Sequence, residues 1–527
     1  MKYYLLMLLP VLVIASACGR TPAPYYETAP TTVAETQATT ETTTEAEITT
    51  EPMYIAQPAP QPTLEDILYI ANARRHSIDR NADQRIYELT QGRAPQTINI
   101  LETFTGNVQV STFTPEVAIA DARYLFALLQ QAYGAYTYFG GDAVFMPILD
   151  TIVATLEGND TWTMQNFANT LFINLSSAIR DNHFFLGGAS MGVNYTFARP
   201  MTHNHRTIFA RGENGFINKA SGEAVAAVHV AGEPIDLNQA MRKSLSNDGE
   251  LYYSLVIVAP VHEAPMRASI IYKNGYTDNI TLAPAPTTGH PRGSHLEFID
   301  NIPVVRLGEM GFPDSPDGNS AASAKYFLST ADRLQAEPII IIDIRSNHGG
   351  NGTLVPRWLH ALTGELIPHN YRGLRVENYE EFMTAIANDP AYGLHFICPY
   401  VMATYVPMAP FDNEHLIMYT DPFRVVENQR LFILLTNRHT ASAGDAFADL
   451  MLSMENTLII GQNTAGVFHT DLRFPSLTLP NSGLHFGFGN TINLHPPNHL
   501  PEGIGIAPDL WVNGDALTAT LALLDRN

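Results

Sequence analysis

From about residue 296 onward, strand-like apolar runs alternate with helix-like patterns, and this alternation restricts the chain more than any other feature. Ile302 to Leu307 and Pro338 to Ile344 read as strands on either side of a helix over Ala321 to Gln335. Leu431 to Leu435 and Thr457 to Ile460 read as strands around a helix from about Ser442 to Met454. Strands that are mostly apolar fit burial on both faces, and helices between them allow parallel crossovers. The pattern predicts an α/β layer with parallel pairing.

The segments before this layer have a different character. Ala118, Ala120, Ala122, Leu125, Leu128 and Leu129 fall at helical spacing, and Phe145 to Leu156 and Met164 to Ile179 suggest two further helices. Leu64, Ile67, Leu68 and Ile70 begin an earlier helical pattern, after which the stretch up to about 112 carries no clear period. Between 190 and 290 short apolar runs alternate with Gly and Asn turns, among them Val225 to Val230, Tyr253 to Val258 and Ala268 to Tyr272, and these read as a small β-rich module. No internal repeat is visible.

Composition excludes some functions. The net charge is -22, from 52 acidic against 30 basic residues, so nucleic acid is not an expected partner, because phosphate binding needs a concentrated basic surface. Only Cys18 and Cys398 occur, which excludes a disulfide framework and a cysteine-rich metal site. Cys398, in His395-Phe396-Ile397-Cys398, reads as a small buried apolar residue.

Cys18 belongs to a targeting segment. Lys2 precedes an apolar run from Tyr3 to Ile14, too short for a stable membrane-spanning helix, and Ala15-Ser16-Ala17 leads directly to the cysteine. This resembles a bacterial lipoprotein signal, with Ala15 where leucine is more usual; the alternative is an ordinary secretory signal cleaved near Ala17. The resemblance implies lipidation of Cys18 and a location at the bacterial cell envelope, outside the cytoplasm. Residues 19–62, rich in Thr, Pro, Ala and Glu, lack the apolar surface to offset ordering entropy and read as a flexible tether.

Two loops carry the chemistry. Thr440-Ala441-Ser442-Ala443-Gly444-Asp445 follows the strand ending near Leu435. A serine at a strand-to-helix turn is well placed as a nucleophile, beside the free N–H groups and favourable dipole of the helix start. It is equally well placed as a helix cap. The strand Ile339 to Ile344 contains Asp343 and runs into Arg345-Ser346-Asn347-His348-Gly349-Gly350-Asn351-Gly352. Such a glycine-rich loop allows close backbone approach and supplies oxyanion donors. It also serves as a simple turn, and the Gly-Lys-Ser/Thr of a phosphate cradle is missing.

Taken together, the motifs resemble peptidase family S41, the C-terminal processing and tricorn-core-like serine peptidases. Asp343 to Gly350 looks like the family's D-x-R-x-N-x-G-G segment, and Thr440 to Asp445 like its nucleophile motif. Gly461-Gln462-Asn463-Thr464-Ala465-Gly466 is similar to its G-x-x-T-x-G turn, and Glu502 to Asp509 to its closing E-x-x-G-x-x-P-D. The order is the family's order, and the resemblance covers about 296 to 515. It implies a ClpP/crotonase-like α/β catalytic core over 296–527, an N-terminal helical subdomain over 63–189 and a β-rich insert over 190–295. Many relatives carry a PDZ domain where the insert lies, although its carboxylate-binding loop is not recognisable here.

One branch of the family uses a lysine about 25 residues after the serine. Here that position is Val467, and no lysine follows Ser442. The other branch uses a histidine from the preceding helical region, and Arg180-Asp181-Asn182-His183 matches its D-x-H segment. The resemblance therefore implies Ser442 as nucleophile, His183 as general base and then acid, and Glu502 as the carboxylate orienting the site. Backbone N–H groups of Gly349 and Ala443 would hold the oxyanion. Asn182 stands where that branch often has a hydroxyl.

His469 is an alternative base, and His348 and His439 lie near the motifs as loop residues. The pairs His203/His205 and His495/His499 lie on no credible helix, so no metal and no cofactor are expected. The expected partners are polypeptide substrates and, through Cys18, a membrane. Two other outcomes stay open: a non-catalytic peptide-binding or envelope-interaction descendant of the fold, and a hydrolase of esters or other acyl groups.

Overall fold

The computed structural model describes residues 62–79, 111–192, 201–213, 215–259, 266–286, 293–313, 318–370, 372–375, 424–471, 477–489, 491–495 and 502–526. The targeting segment with Cys18, most of the tether, Cys398 and His499 lie outside these residues.

The alternating segment forms a parallel layer. Ile302–Leu307, Ile339–Asp343, Leu431–Thr436, Thr457–Gly461 and Leu510–Val512 pair in that order, each parallel to the next. Continuous apolar runs suit this arrangement because alternate residues feed two cores. Ile340, Ile342, Phe432, Leu434 and Ile459 face one side, where the helices Gly318–Arg333, Leu354–Thr363 and Ala443–Met451 pack. Ile341, Ile433, Leu435, Leu458 and Ile460 face the other, covered by Leu64–His76 and Ala516–Asp525. Each side is therefore sealed by helices, as a parallel sheet requires.

The first helix is locked onto this layer by a buried cation. Arg75 is fully buried and donates to Thr457 Oγ1 at 2.7 Å and Asp509 Oδ2 at 2.9 Å. Burial pushes the Asp509 carboxyl up, but Arg75 and Arg74 outweigh it and hold it below the usual range. The same carboxylate accepts from Ile459 N–H, which ties the helix to a central strand.

The β-rich segment is not a separate layer. Its strand Met241–Leu245 pairs in parallel with Leu510–Val512, with Trp511 opposite Ser244. Through Leu251–Ala259 and Met201–Gly212 the sheet continues to Thr277–Pro284, Met266–Tyr272, Val225–Val230 and Glu233–Ile235. Composition could not reveal this continuity, because it rests on strand order across more than 200 residues of chain.

The helices Pro115–Ala132, Asp142–Glu157 and Met164–Leu175 form a core with Phe184 and Leu186. That core is completed from the far end of the chain by Leu477, Leu479, Leu484, Phe486, Phe488 and Ile492. Phe185–Leu186 pairs with His485–Gly487, and buried Asp121 accepts from Asn481 and Ser482 N–H. His183 thus stands two residues before a strand that belongs to this joint.

Candidate active site

Two central strands, Ile339–Asp343 and Leu431–Thr436, end side by side, and the loops that leave them are stitched together. Thr440 Oγ1 donates to the Ile344 carbonyl at 3.0 Å, and Ala441 N–H donates to the Asn347 carbonyl at 2.9 Å. Asn437 Oδ1 accepts from Ser346 N–H at 2.9 Å. Beneath them Arg345 bridges Asp343 and Asp515, at 2.7 and 2.8 Å.

Ser442 stands where the second loop becomes a helix. Its backbone lies at φ 56° and ψ -117°, a conformation that costs a residue other than glycine about 1–3 kcal/mol. Neighbours hold it there. Asp445 Oδ2 accepts from Ser442 N–H at 2.7 Å, and Ala446 N–H donates to the Ser442 carbonyl at 3.0 Å. Gly349 packs against the turn at φ +95°; a Cβ there would lie 2.8 Å from Ser442 Cβ and 2.6 Å from the Ala441 carbonyl oxygen. Only glycine fits.

Asp445 is itself buried and also accepts from Gly466 and Val467 N–H, at 2.9 and 3.0 Å. Burial pushes its carboxyl up to about 6, although hydrogen bonds from Thr464, Val467 and Gly466 act against the rise. The turn at Val467 is therefore bound to the nucleophile helix through Asp445.

His183 Nε2 lies 3.0 Å from Ser442 Oγ, across a sequence separation of 259. The other ring nitrogen, Nδ1, contacts the backbone carbonyl of Thr470. A carbonyl can only accept, so Nδ1 carries the proton and Nε2 presents its lone pair to the serine hydroxyl. This is the tautomer that a general base needs.

Glu502 touches neither Ser442 nor the imidazole. Its Oε1 accepts from Asn182 N–H and Nδ2, at 2.9 and 2.6 Å, and its Oε2 accepts from Phe468 and His469 N–H, at 2.7 and 2.8 Å. It joins the turn bearing His183 to the segment bearing Thr470. Asn182, at the position where a hydroxyl is common, is a direct partner of that carboxylate.

The oxyanion donors are placed unequally. Ala443 opens the helix Ala443–Met451, where a backbone N–H has no intrahelical acceptor. Gly349 N–H instead donates to Asn347 Oδ1 at 2.8 Å, the turn that an Asn side chain makes with the backbone two residues on. The expected donor is occupied in this arrangement.

The remaining histidines take other positions. His469 Nδ1 meets the Arg180 carbonyl at 3.1 Å, and its ring packs near Tyr138, Phe139 and His495. His348 and His439 have ring centroids 6.3 Å apart. Among the described residues no group of three or more His, Cys, Asp or Glu is arranged to hold a metal.

Sequence reasoning gave no role to Asp445 or Thr470. Asp445 stood inside the nucleophile motif and could have been found there. Thr470 contributes its carbonyl, which no residue type advertises.

A strained serine at a strand-to-helix turn, faced by an imidazole that presents its lone pair, has the geometry that serine-type hydrolysis requires. Residues 301–512 match the model of peptidase family S41. No curated protein matches the chain. Solved structures similar to it include mature CPAF, at 14% identity and TM-score 0.38, over 78% of this chain and 96% of that one. The photosystem II D1 C-terminal processing protease is similar at 13% identity and TM-score 0.33, over 78% and 96%. The tricorn protease is similar at 12% identity and TM-score 0.32, over 78% of this chain and 37% of that one. At such identities and scores these likenesses carry no argument about the site.

Proposed function

We propose that this chain is a membrane-tethered, extracytoplasmic serine peptidase of the bacterial cell envelope that hydrolyses peptide bonds of exported polypeptides. The observation that carries the reading is the 3.0 Å approach of His183 Nε2 to Ser442 Oγ. Ser442 Oγ attacks the scissile carbonyl carbon while His183 Nε2 takes the hydroxyl proton, giving a tetrahedral oxyanion. Its collapse breaks the C–N bond, and the imidazolium gives its proton to the leaving amine. Water, activated by the same imidazole, then hydrolyses the acyl-enzyme.

Ala443 N–H supports the oxyanion, and Gly349 N–H joins it once it leaves Asn347 Oδ1. Cys18, at the end of its lipoprotein-like signal, is the lipid anchor in this reading, and the Thr/Pro/Glu-rich tether lets the folded part reach substrates near the membrane.

One observation favours a second reading, a non-catalytic peptide-binding lipoprotein: the occupied Gly349 N–H. A fluorophosphonate probe separates the two. The full-length chain should be labelled, and Ser442→Ala and His183→Ala should not. An unlabelled parent protein would sink the peptidase reading, and labelling that survives His183→Ala would move the base to His469. Cleavage of unstructured peptides in preference to simple esters tests the substrate class. Labelling of cells with an alkyne fatty acid, lost in Cys18→Ala, tests the anchor.

A further inference from the structure

Asp181 lies two residues before His183, is fully buried, and uses both carboxylate oxygens around the base. Oδ1 accepts from the backbone N–H of His183 at 2.9 Å. Oδ2 accepts from the hydroxyl of Thr470 at 2.9 Å and from the phenol of Tyr133 at 2.9 Å. The Thr470 carbonyl is the group that meets His183 Nδ1. One carboxylate thus fixes the chain on both sides of a single hydrogen bond, the residue that donates it and the residue that accepts it.

We propose that Asp181 is the positioning residue that sets the tautomer and aim of His183, acting through the Thr470 carbonyl instead of through the imidazole itself. This rests on the reading of Ser442 and His183 as nucleophile and base. In a Ser-His-Asp triad the carboxylate bonds the imidazole directly. Here the carbonyl takes that place, and a carbonyl orients a ring only as well as its own peptide is held. Thr470 belongs to a two-residue strand, Thr470–Asp471, and its hydroxyl on Asp181 ties the peptide to the turn of the base. Glu502 holds the neighbouring residues Asn182, Phe468 and His469, so it cannot substitute at Thr470 itself.

Tyr133 anchors the carboxylate from the helical side. It is fully buried, and burial followed by the negative charge of Asp181 pushes its phenol well above the ordinary value. It therefore remains a donor to Asp181 at any working pH.

The test compares Asp181→Asn and Thr470→Val with the parent in the full-length chain. Both are near-isosteric, and Thr470→Val keeps the carbonyl while deleting the hydroxyl. Each should lower kcat about 100-fold, the scale on which small misplacement of a reacting group acts. KM should change by less than about threefold, because neither residue has been placed against substrate. Thr470→Ser, which restores the hydroxyl, should recover most of the loss relative to Thr470→Val.

A second readout does not depend on catalysis. In ¹H–¹⁵N long-range spectra of the chain labelled at histidine, the His183 signal is assigned by its absence in His183→Ala. The parent should hold one tautomer, protonated at Nδ1, and the two variants should give a mixture. Folded variants that keep both the parental kcat and the single tautomer would overturn the proposal. If the parent cleaves nothing and takes no probe, the peptidase reading fails, and the ring spectra still decide the role of Asp181. If Asp181→Asn does not fold, Thr470→Val decides.

Discussion

Ser442 and His183, the proposed nucleophile and base, meet at 3.0 Å, yet the two sides of that contact are built by different means. Ser442 and Gly349 sit on loops leaving adjacent parallel strands, and their geometry is stored in the backbone: a positive φ at each, and an approach that admits no side chain. His183 sits on a turn between a helix and a short strand, and its geometry is stored in side-chain carboxylates. Asp181 accepts from His183 N–H and the Thr470 hydroxyl, and Glu502 from the backbone N–H groups of Asn182, Phe468 and His469. Backbone-stored geometry should fail together with the fold. Carboxylate-stored geometry should fail while the fold survives.

The largest effect removes the contact itself. Ser442→Ala and His183→Ala should each lower kcat/KM at least about 10⁴-fold, and the double variant should lose little more, because the two act as one unit. Steady-state kinetics on a peptide substrate checks both statements. Gly349→Ala tests the backbone side. Strain at positive φ and the close approach to Ala441 together should cost about 3–5 kcal/mol, seen as a fall in denaturant midpoint with activity lost in parallel.

Asp445 straddles the comparison, since a carboxylate there holds the nucleophile's own N–H. Its folded value of about 6 lies above the ordinary 3.8. Its contribution to stability is therefore complete below about pH 3.8 and is lost as the pH rises through about 6. Relative to the non-titrating Asp445→Asn, the parent should lose about 3 kcal/mol between those limits. Denaturant unfolding of both proteins across that range measures the difference; a constant gap would remove Asp445 from the account.

Glu502→Gln tests the base side with the smallest change. It should lower kcat about 10- to 100-fold while costing less than about 2 kcal/mol of stability. Equal damage to stability and activity would erase the distinction between the two sides.

What could be read in the sequence follows the same division. The strands Ile339–Asp343 and Leu431–Thr436 were legible because burial on both faces imposes an apolar run, broken only at the last residue of each. The turn at Ser442 was legible because helix starts and close glycine contacts demand small residues. His183 was reached only through resemblance to a family motif, since nothing local distinguishes it from a buried core histidine. Thr470 acts through a carbonyl, which leaves no compositional trace, whereas the Asx turn of Asn347 lies inside a motif that was visible. The pairing of Met241–Leu245 with Leu510–Val512 was equally hidden, because a strand's sequence records that it is buried and not which strand lies beside it.

The helical core shared between residues 113–191 and 477–492 has a consequence for timing. During synthesis the serine helix and both of its loops emerge before the hairpin that completes the core around His183. Until then Thr470–Asp471 lacks its strand partner Thr491–Leu494 and Glu502 has not met Asn182, so on the proposed reading a nascent chain carries Ser442 without its base. A chain ended just before Leu477 should take up no fluorophosphonate. On the proposed reading, the docking of residues 477–492 on the helical core is the step that completes the site.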